Sequence, residues 1–329
     1  MVRFAVIGTS AITTRFLEAL AAAGQGAVLQ AVYSRTKQRA QAFGAQYGAK
    51  AYYDSLQALA ADKNVDAVYI ASPNSLHCAQ ALCMLRAGKH VLCEKPLAPT
   101  PKQTVELFEA AKEKGVFLME AYAYLHSPFV TALKKEIEEG TIGEIRYIES
   151  QFLTSYYDKI NIRLHKENYG GAVYDLGCYN TSMLLKLLED MPSRVKAMAQ
   201  YDENGVDIYT AALLNYENDV RASITCGMIF EKDKPHRYDR LYIHGTKGDI
   251  KSDTKFNQEG NASYTLIIEG KEQIRNVYCP HNYQLEIEQL GRCIIEGETP
   301  VVTADFSIKN AKILDAILQE IGYFESNVM

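Results

Sequence analysis

The chain has no stretch approaching the eighteen or so consecutive apolar residues of a membrane span, and its N-terminus has no apolar signal-peptide core ending at a cleavage site. Both absences point to a soluble, intracellular protein, expected in the cytoplasm. None of its seven cysteines (78, 83, 93, 178, 226, 279 and 293) stands in C-x-x-C spacing with another, and several lie in apolar runs where a small buried thiol is explanation enough. No metal site and no disulfide framework are therefore expected. There is no basic block, and the net charge is −5, which argues against a nucleic-acid surface. Low-complexity tracts and short repeats are also absent. What is present is a globular composition, 329 residues with 47% hydrophobic and 23% charged, long enough for two domains.

From residue 2 to about 121 short apolar strands alternate with helical segments, the signature of a parallel α/β sheet with crossovers. Strands are predicted at residues 2–7, 29–33, 51–53, 67–71, 90–93 and 116–119. Helices such as 12–23 and 101–114 lie between them. This predicts a doubly wound, Rossmann-type domain over residues 1–121. Past Pro128 the pattern gives a helix (129–139), a strand (144–152) and a helix from about 172 to 188. Long alternating segments follow, with turns at Glu217-Asn218-Asp219 and Glu269-Gly270-Lys271. Residues 122–329 thus read as an α+β domain with an open, mostly antiparallel sheet carrying helices on one face. Two final helices (283–296 and 304–321) close the chain, and the last is expected to return to the first domain.

The strand of residues 2–7 breaks at Gly8 and leads straight into a helical pattern. A strand, tight turn and helix N-terminus of this kind hold a dinucleotide pyrophosphate on backbone N–H groups, here along Gly8-Thr9-Ser10-Ala11-Ile12. The glycine fingerprint is incomplete, since Ser10 and Thr13 replace its second and third glycines, and an ordinary βα turn would look the same. The second strand ends in Ser34-Arg35-Thr36-Lys37 in place of the acidic residue that binds the ribose of NAD. A hydroxyl and a guanidinium at that place suit a 2′-phosphate, favouring NADP over NAD as cofactor. The fourth strand ends in Ser72-Pro73-Asn74-Ser75-Leu76-His77, at a sheet edge where nucleotides bind, although Asn74 or Ser75 as helix caps and His77 as a surface residue would be the plainer reading.

The fifth strand runs into Cys93-Glu94-Lys95-Pro96, an acid and a base at the same sheet edge. A lysine there can help a substrate hydroxyl lose its proton, whereas an isolated E-K-P is more simply a surface ion pair. In the second domain Gly170-Gly171 opens a helix with Asp175 and Tyr179 four residues apart and so on one face. A carboxylate and a phenol so placed can orient a hydroxyl and relay its proton. Taken alone, Asp175 could equally be a cap and Tyr179 a half-buried core aromatic.

In this order and spacing these pieces resemble the Gfo/Idh/MocA family of nicotinamide-dependent oxidoreductases over essentially the whole chain. The match is carried by Val6-Ile7-Gly8, Ser72 to His77, Ala87 to Leu97 with its Glu94-Lys95-Pro96, Gly140 to Ile145, and Gly170-Gly171 through Tyr179. Phe117-Leu118-Met119-Glu120-Ala121 together with Tyr179 is most similar to the branch of dimeric dihydrodiol and NADP-linked D-xylose dehydrogenases. That resemblance implies Lys95 and Tyr179 as the catalytic pair, Asp175 as substrate orienter and an NADP pocket at Ser34 and Arg35. Cofactor contacts are expected at Gly8, Thr9, Ser10, Ala11, Ile12, Ser72, Asn74, His77, Glu94 and Lys95. It further implies a sugar or diol substrate and a homo-oligomer, a homodimer in that branch, formed through the C-terminal sheets. Leu125-His126-Ser127 stands where branch members carry an arginine and a phenylalanine before the proline, so substrate identity does not transfer. Two alternatives are a non-catalytic nucleotide-dependent regulator and an NAD-assisted glycosidase. The presence of Glu94, Lys95, Asp175 and Tyr179 together speaks against a pure binder.

Overall fold

Val-Arg-Phe-Ala-Val-Ile, residues 2–7, is nearly all apolar, as a parallel strand covered on both faces must be, and it becomes the strand on which the first sheet is organised. The computed structural model describes residues 1–233 and 236–325. These divide into two units: Met1–Ala123 with His281–Ile308, and Tyr124–Pro280 with the chain from Lys309 onward.

The first unit alternates β1 (Val2–Ile7), α1 (Ala11–Ala22), β2 (Ala27–Tyr33), α2 (Lys37–Gly44), β3 (Ala51–Tyr53), α3 (Leu56–Ala60), β4 (Ala67–Ile70), α4 (Asn74–Arg86), β5 (His90–Glu94), α5 (Pro101–Lys114) and β6 (Leu118–Ala121). All six strands are parallel, in the order β3-β2-β1-β4-β5-β6. The order reverses between β1 and β4, and the crevice beyond the C-terminal ends of those two strands is where doubly wound sheets take ligands. Helix starts follow local chemistry: Thr36, Ser55 and Thr100 each accept a first-turn N–H, and Pro101 sits at the first position of α5.

In the second unit α6 (Pro128–Glu138) and β7 (Ile145–Ser155) precede a π turn (Val173–Gly177) that runs directly into α7 (Cys178–Leu188). Then come β8 (Arg194–Tyr201), β9 (Asp207–Asn215), β10 (Arg221–Phe230), β11 (Arg237–Gly245), β12 (Gly248–Ser252), β13 (Gly260–Ile268) and β14 (Lys271–Cys279), followed by α8 (Asn282–Glu296) and α9 (Ala304–Glu320). The sheet has eight strands, β14-β13-β12-β11-β7-β10-β9-β8, antiparallel except where β10 lies parallel to β7. The β13–β14 hairpin turns on Glu269 and Gly270, both with positive φ, the conformation a two-residue hairpin loop demands. Ile148, Ser150 and Phe152 of β7 are buried on one face, where Asn180 of α7 donates to Ser150 Oγ at 2.8 Å.

The helix that belongs to the first unit is α8, not α9 as expected. Tyr283, Ile287, Leu290 and Cys293 of α8 are buried, α8 packs on α1 and β2, and the Arg15 guanidinium lies 5.0 Å above the Tyr283 ring. Most of α9 falls in the second unit, where Ile313, Leu314, Ile317 and Leu318 are buried. Both helices carry apolar stripes of the same period, and the stripe alone does not say which sheet it covers.

Candidate active site

In the first unit the chain leaves β1 at Gly8 with φ +111 and comes so close to the end of β4 that a Cβ on Gly8 would lie 2.7 Å from the Ala71 carbonyl oxygen. Only glycine fits there, because both the left-handed backbone and the neighbouring strand forbid a side chain. Gly8 N–H donates to Tyr33 O at 3.2 Å, which ties the turn to the end of β2. Ser10 and Thr13, in place of the usual glycines, are used on each other: Thr13 Oγ1 accepts from Ser10 N–H at 3.4 Å, and the two hydroxyls are 3.2 Å apart. They fasten the first turn of α1, whose leading N–H groups have no intrahelical acceptor and face the positive end of the helix. The turn therefore keeps the cradle a pyrophosphate requires.

Ser34 is buried and its N–H donates to Tyr53 O at 3.1 Å, whereas Arg35 is exposed. Arg39, one turn on in α2, was not singled out in the sequence. Its Nε donates to Thr9 Oγ1 at 2.7 Å, so a second guanidinium is tied to the glycine turn. Arg35 precedes α2 and Arg39 lies in its first turn, so no helical spacing linked the two in the sequence.

Glu94 and Lys95 leave the end of β5 through a cis Lys95–Pro96 peptide, and buried polar groups hold the turn on either side of the lysine. Tyr69 Oη donates to Glu94 Oε1 at 2.6 Å, with its ring stacked 3.8 Å from Phe16. Leu97 N–H donates to Glu120 Oε1 at 2.8 Å. His77 Nδ1 lies 2.9 Å from Pro96 O and its Nε2 2.9 Å from Ser72 O. Expected to touch the nucleotide, His77 is instead 1% exposed with both nitrogens on backbone carbonyls, so it fastens the two strand-end loops together. Burial lowers its pKa and Lys95 adds to that, although both carbonyls favour the protonated ring. Burial pushes the Glu120 carboxyl up to about 7 against the pull of the Leu97 N–H and the Lys95 charge. Burial and the nearby Glu94 charge also raise Glu286, on α8. The half-buried Lys95 thus stands beside the buried acids Glu94 and Glu120, with the buried Glu286 near Glu94.

In the second unit Asp175 lies in the π turn and Tyr179 in the first turn of α7, on one continuous helical run. The turn is π and not α as expected, and Gly177 lets it approach β10, since a Cβ there would lie 3.1 Å from Cys226 Sγ. Asp175 is ion-paired with Arg163, Nε to Oδ2 2.7 Å, and accepts from Tyr157 Oη at 3.4 Å. The same guanidinium sits 5.1 Å over the Tyr157 ring. The Tyr179 ring is enclosed by Tyr124, Phe152 and Phe256, with centroids 5.6, 5.5 and 5.2 Å away. Asn257 Nδ2 reaches Tyr179 Oη at 3.5 Å. Arg237 braces the Phe256 loop: it donates to both Asp239 oxygens at 2.6 Å and to Phe256 O at 2.9 Å. Neither Arg163 nor Asn257 was legible in the sequence, because each lies in an irregular segment with no motif around it.

The predicted residues fall into two sets. Gly8 to Ile12, Ser34, Arg35, Ser72, Asn74, His77, Glu94 and Lys95 belong to the first unit, while Asp175 and Tyr179 belong to the second. Ser72 Oγ donates to Gln80 Oε1 at 2.7 Å, and Asn74 opens α4 behind Pro73. Among the described residues no group of His, Cys, Asp and Glu could hold a metal ion.

A parallel sheet that reverses order at a glycine turn, together with a second unit presenting a carboxylate and a phenol on one helix, is the plan of a nicotinamide-dependent oxidoreductase. Residues 2–122 match the oxidoreductase family with an NAD-binding Rossmann fold and residues 130–251 the GFO/IDH/MocA C-terminal domain, and the chain belongs to this family. It is similar to the scyllo-inositol 2-dehydrogenase (NADP(+)) IolU of Bacillus subtilis, 40% identical over 66% of this chain and 67% of that one. With the D-xylose 1-dehydrogenase (NADP(+)) 2 of Haloferax volcanii it shares 30% identity over 96% of both chains. Among solved structures the 3-ketoreductase KijD10 of Actinomadura kijaniata, in complex with NADP and TDP-benzene, superposes with a TM-score of 0.90 at 28% identity over 97% of this chain and 98% of that one.

Proposed function

We propose that this protein is an NADP(H)-dependent dehydrogenase or reductase that interconverts a hydroxyl and a carbonyl on a sugar, polyol or diol. Family membership and the NADP-linked relatives support the class and the cofactor. One observation carries the chemistry. The helical run of the second unit presents a carboxylate held by Arg163 and, four residues on, a phenol enclosed by three aromatic rings with its oxygen near an amide.

The residues present fit the cofactor. The turn from Gly8 to Ile12 would hold the pyrophosphate, Ser34, Arg35 and Arg39 the ribose 2′-phosphate, and Ser72, Asn74, Glu94 and Lys95 the nicotinamide end. When bound, NADP(H) supplies the hydride acceptor or donor. The protein's own work is on the proton: in oxidation the substrate hydroxyl proton leaves through Tyr179 Oη with Lys95 as its partner, and in reduction it returns by the same atom. Asp175 orients a neighbouring hydroxyl, and Arg163 keeps Asp175 in place. The chain works in the cytoplasm as a homodimer. None of the seven cysteines is in a disulfide, in keeping with a reducing compartment, and no helix among the described residues is long and apolar enough to cross a membrane. Met198, Leu213, Ile274 and Tyr278 stand exposed on the sheet face opposite Ile148 and Phe152, a surface suited to a second copy.

The test is turnover of scyllo-inositol, D-xylose and related polyols with NADP+, read as reduced-nicotinamide absorbance, in wild type and Tyr179→Phe. The variant should lose about 10²- to 10⁴-fold in kcat while binding NADPH normally, the usual size of general acid–base catalysis. Full turnover in Tyr179→Phe on a substrate the wild type accepts would overturn the assignment.

A further inference from the structure

The helix bearing Asp175 and Tyr179 begins at two glycines, and the structure shows what excludes side chains there. A Cβ on Gly170 would collide with the Arg163 carbonyl. Gly171 has φ +110, and a Cβ on it would collide with Asp207 Oδ1. The space is taken by a buried carboxylate at the start of β9, on a different strand from the helix it meets. Asp207 Oδ2 accepts from Val173 N–H at 2.9 Å and from Thr210 Oγ1 at 2.8 Å. Ala172 and Val173 are the first residues of the helical run, where backbone donors have no partner within the helix. Asx side chains meet this need from the N-cap position itself; here the sequence supplies glycine locally and the carboxylate from a distance.

We infer that Asp207 is a positioning residue: from β9 it caps the helix that bears Asp175 and Tyr179, and so sets where the substrate-orienting carboxylate and the proton-moving phenol stand. This rests on the roles given to Asp175 and Tyr179 above. Titratable groups near Asp207 are Tyr174 from the helix, Tyr201 from β8, Cys226 from β10 and Tyr323 from the segment after α9, and the Lys166 ammonium lies 5.5 Å over the Tyr323 ring. Burial pushes the Asp207 carboxyl up to about 7, against the hydrogen bonds from Thr210 and Val173. The cap therefore passes from acid to carboxylate across neutral pH. Oδ2 accepts from Val173 and Thr210 in either form, and ionisation adds a full negative charge facing the positive end of the helix. Catalysis should accordingly rise as Asp207 ionises.

Two substitutions test this, each in the full-length protein. Asp207→Asn keeps an acceptor of similar capping strength and cannot ionise, so its kcat should stay within about threefold of wild type at neutral pH while the inflection near pH 7 disappears from the kcat profile. Asp207→Ala removes the cap and should lose about tenfold in kcat with NADPH affinity unchanged. A wild-type-like inflection in Asp207→Asn would overturn the inference. Thermal unfolding supplies an arm that needs no substrate. An acid whose pKa is higher folded than unfolded favours the folded state at low pH, and that advantage is lost as pH rises from about 4 to about 7. The wild-type melting temperature should therefore fall relative to Asp207→Asn across that interval and then run parallel, and profiles parallel throughout would refute the cap even where Asp207→Ala does not fold. If Tyr179→Phe keeps full turnover while the melting curves diverge as stated, the catalytic reading has failed and the cap stands.

Discussion

Replacing Arg39 by alanine should weaken NADPH binding and leave NADH binding alone. The guanidinium is exposed and donates to Thr9 Oγ1 at 2.7 Å, so its effect on a bound 2′-phosphate is an electrostatic one largely in water. A unit charge about 5 Å from a dianion at a dielectric of about 80 is worth roughly 1.7 kcal/mol, and an ionic strength near 0.15 M screens this to about 1 kcal/mol. One exposed charge-assisted hydrogen bond adds about as much again at most, giving about 1 to 2 kcal/mol, or about fivefold to thirtyfold in Kd. Calorimetric titration with NADPH and NADH checks this for Arg39→Ala, Arg35→Ala and the double variant. Each single variant should lose NADPH affinity in that range, the double variant should bind the two nucleotides almost alike, and added salt should cost wild type more than any variant. Unchanged NADPH affinity in Arg39→Ala would remove the residue from the pocket. Equal weakening of NADPH and NADH would mean that Arg39 only braces the glycine turn through Thr9.

Glu120→Gln keeps an oxygen for the Leu97 N–H and removes an acid whose pKa burial has pushed up to about 7 from an ordinary 4.5. Because the folded pKa is the higher, this acid stabilises the fold at low pH and loses about 3 kcal/mol of that as pH rises from about 4.5 to about 7. The variant should therefore gain several degrees in melting temperature relative to wild type by pH 8 and lose the gain near pH 4.5, and parallel melting curves would refute it. The homodimer proposed through the open sheet face predicts that Leu213→Lys with Ile274→Lys lowers the sedimenting mass from two chains to one in analytical ultracentrifugation at micromolar concentration. A dimer that persists unchanged would exclude this face as the contact.

Local pattern carried much of the fold. The β5 run His-Val-Leu-Cys-Glu ends where its apolar character ends, and α5 occupies Pro101–Lys114 because a capping threonine, a proline and a closing glycine mark both limits. The hairpin at Glu269-Gly270 announced itself through residues that accept positive φ. Other features left no local trace. The winding of the π turn is one: Gly177 marks the approach to β10, where a Cβ would lie 3.1 Å from Cys226 Sγ, but nothing in residues 173–177 distinguishes π from α. The return of α8 rests on burial of Tyr283, Ile287 and Leu290 against α1 and β2, a choice between two covering surfaces that periodicity does not make. Lys95, Asp175 and Tyr179 are candidates because they stand in short motifs, whereas the contacts made by Arg163, Glu120 and Asp207 span separations that no motif records.

That separation has a common logic in the two units. Lys95 and Tyr179 each stand on a segment whose backbone N–H groups are held by a buried acid from a strand well along the sequence, Leu97 by Glu120 at 23 residues and Val173 by Asp207 at 34. Both acids have pKa values pushed up to about 7, so holding them charged at neutral pH costs the fold stability. A strain-free fold would place apolar side chains there. What the acids supply is direction, because a carboxylate accepting a backbone N–H at 2.8–2.9 Å fixes a segment far more narrowly than apolar packing does. Gly170-Gly171 shows how such a contact surfaces in sequence: the motif records the absence of side chains, while the residue that requires one of those absences lies on another strand. A chain of this family that kept the glycines and the reactive side chains but lost Asp207 should therefore keep the motif and lose the placement.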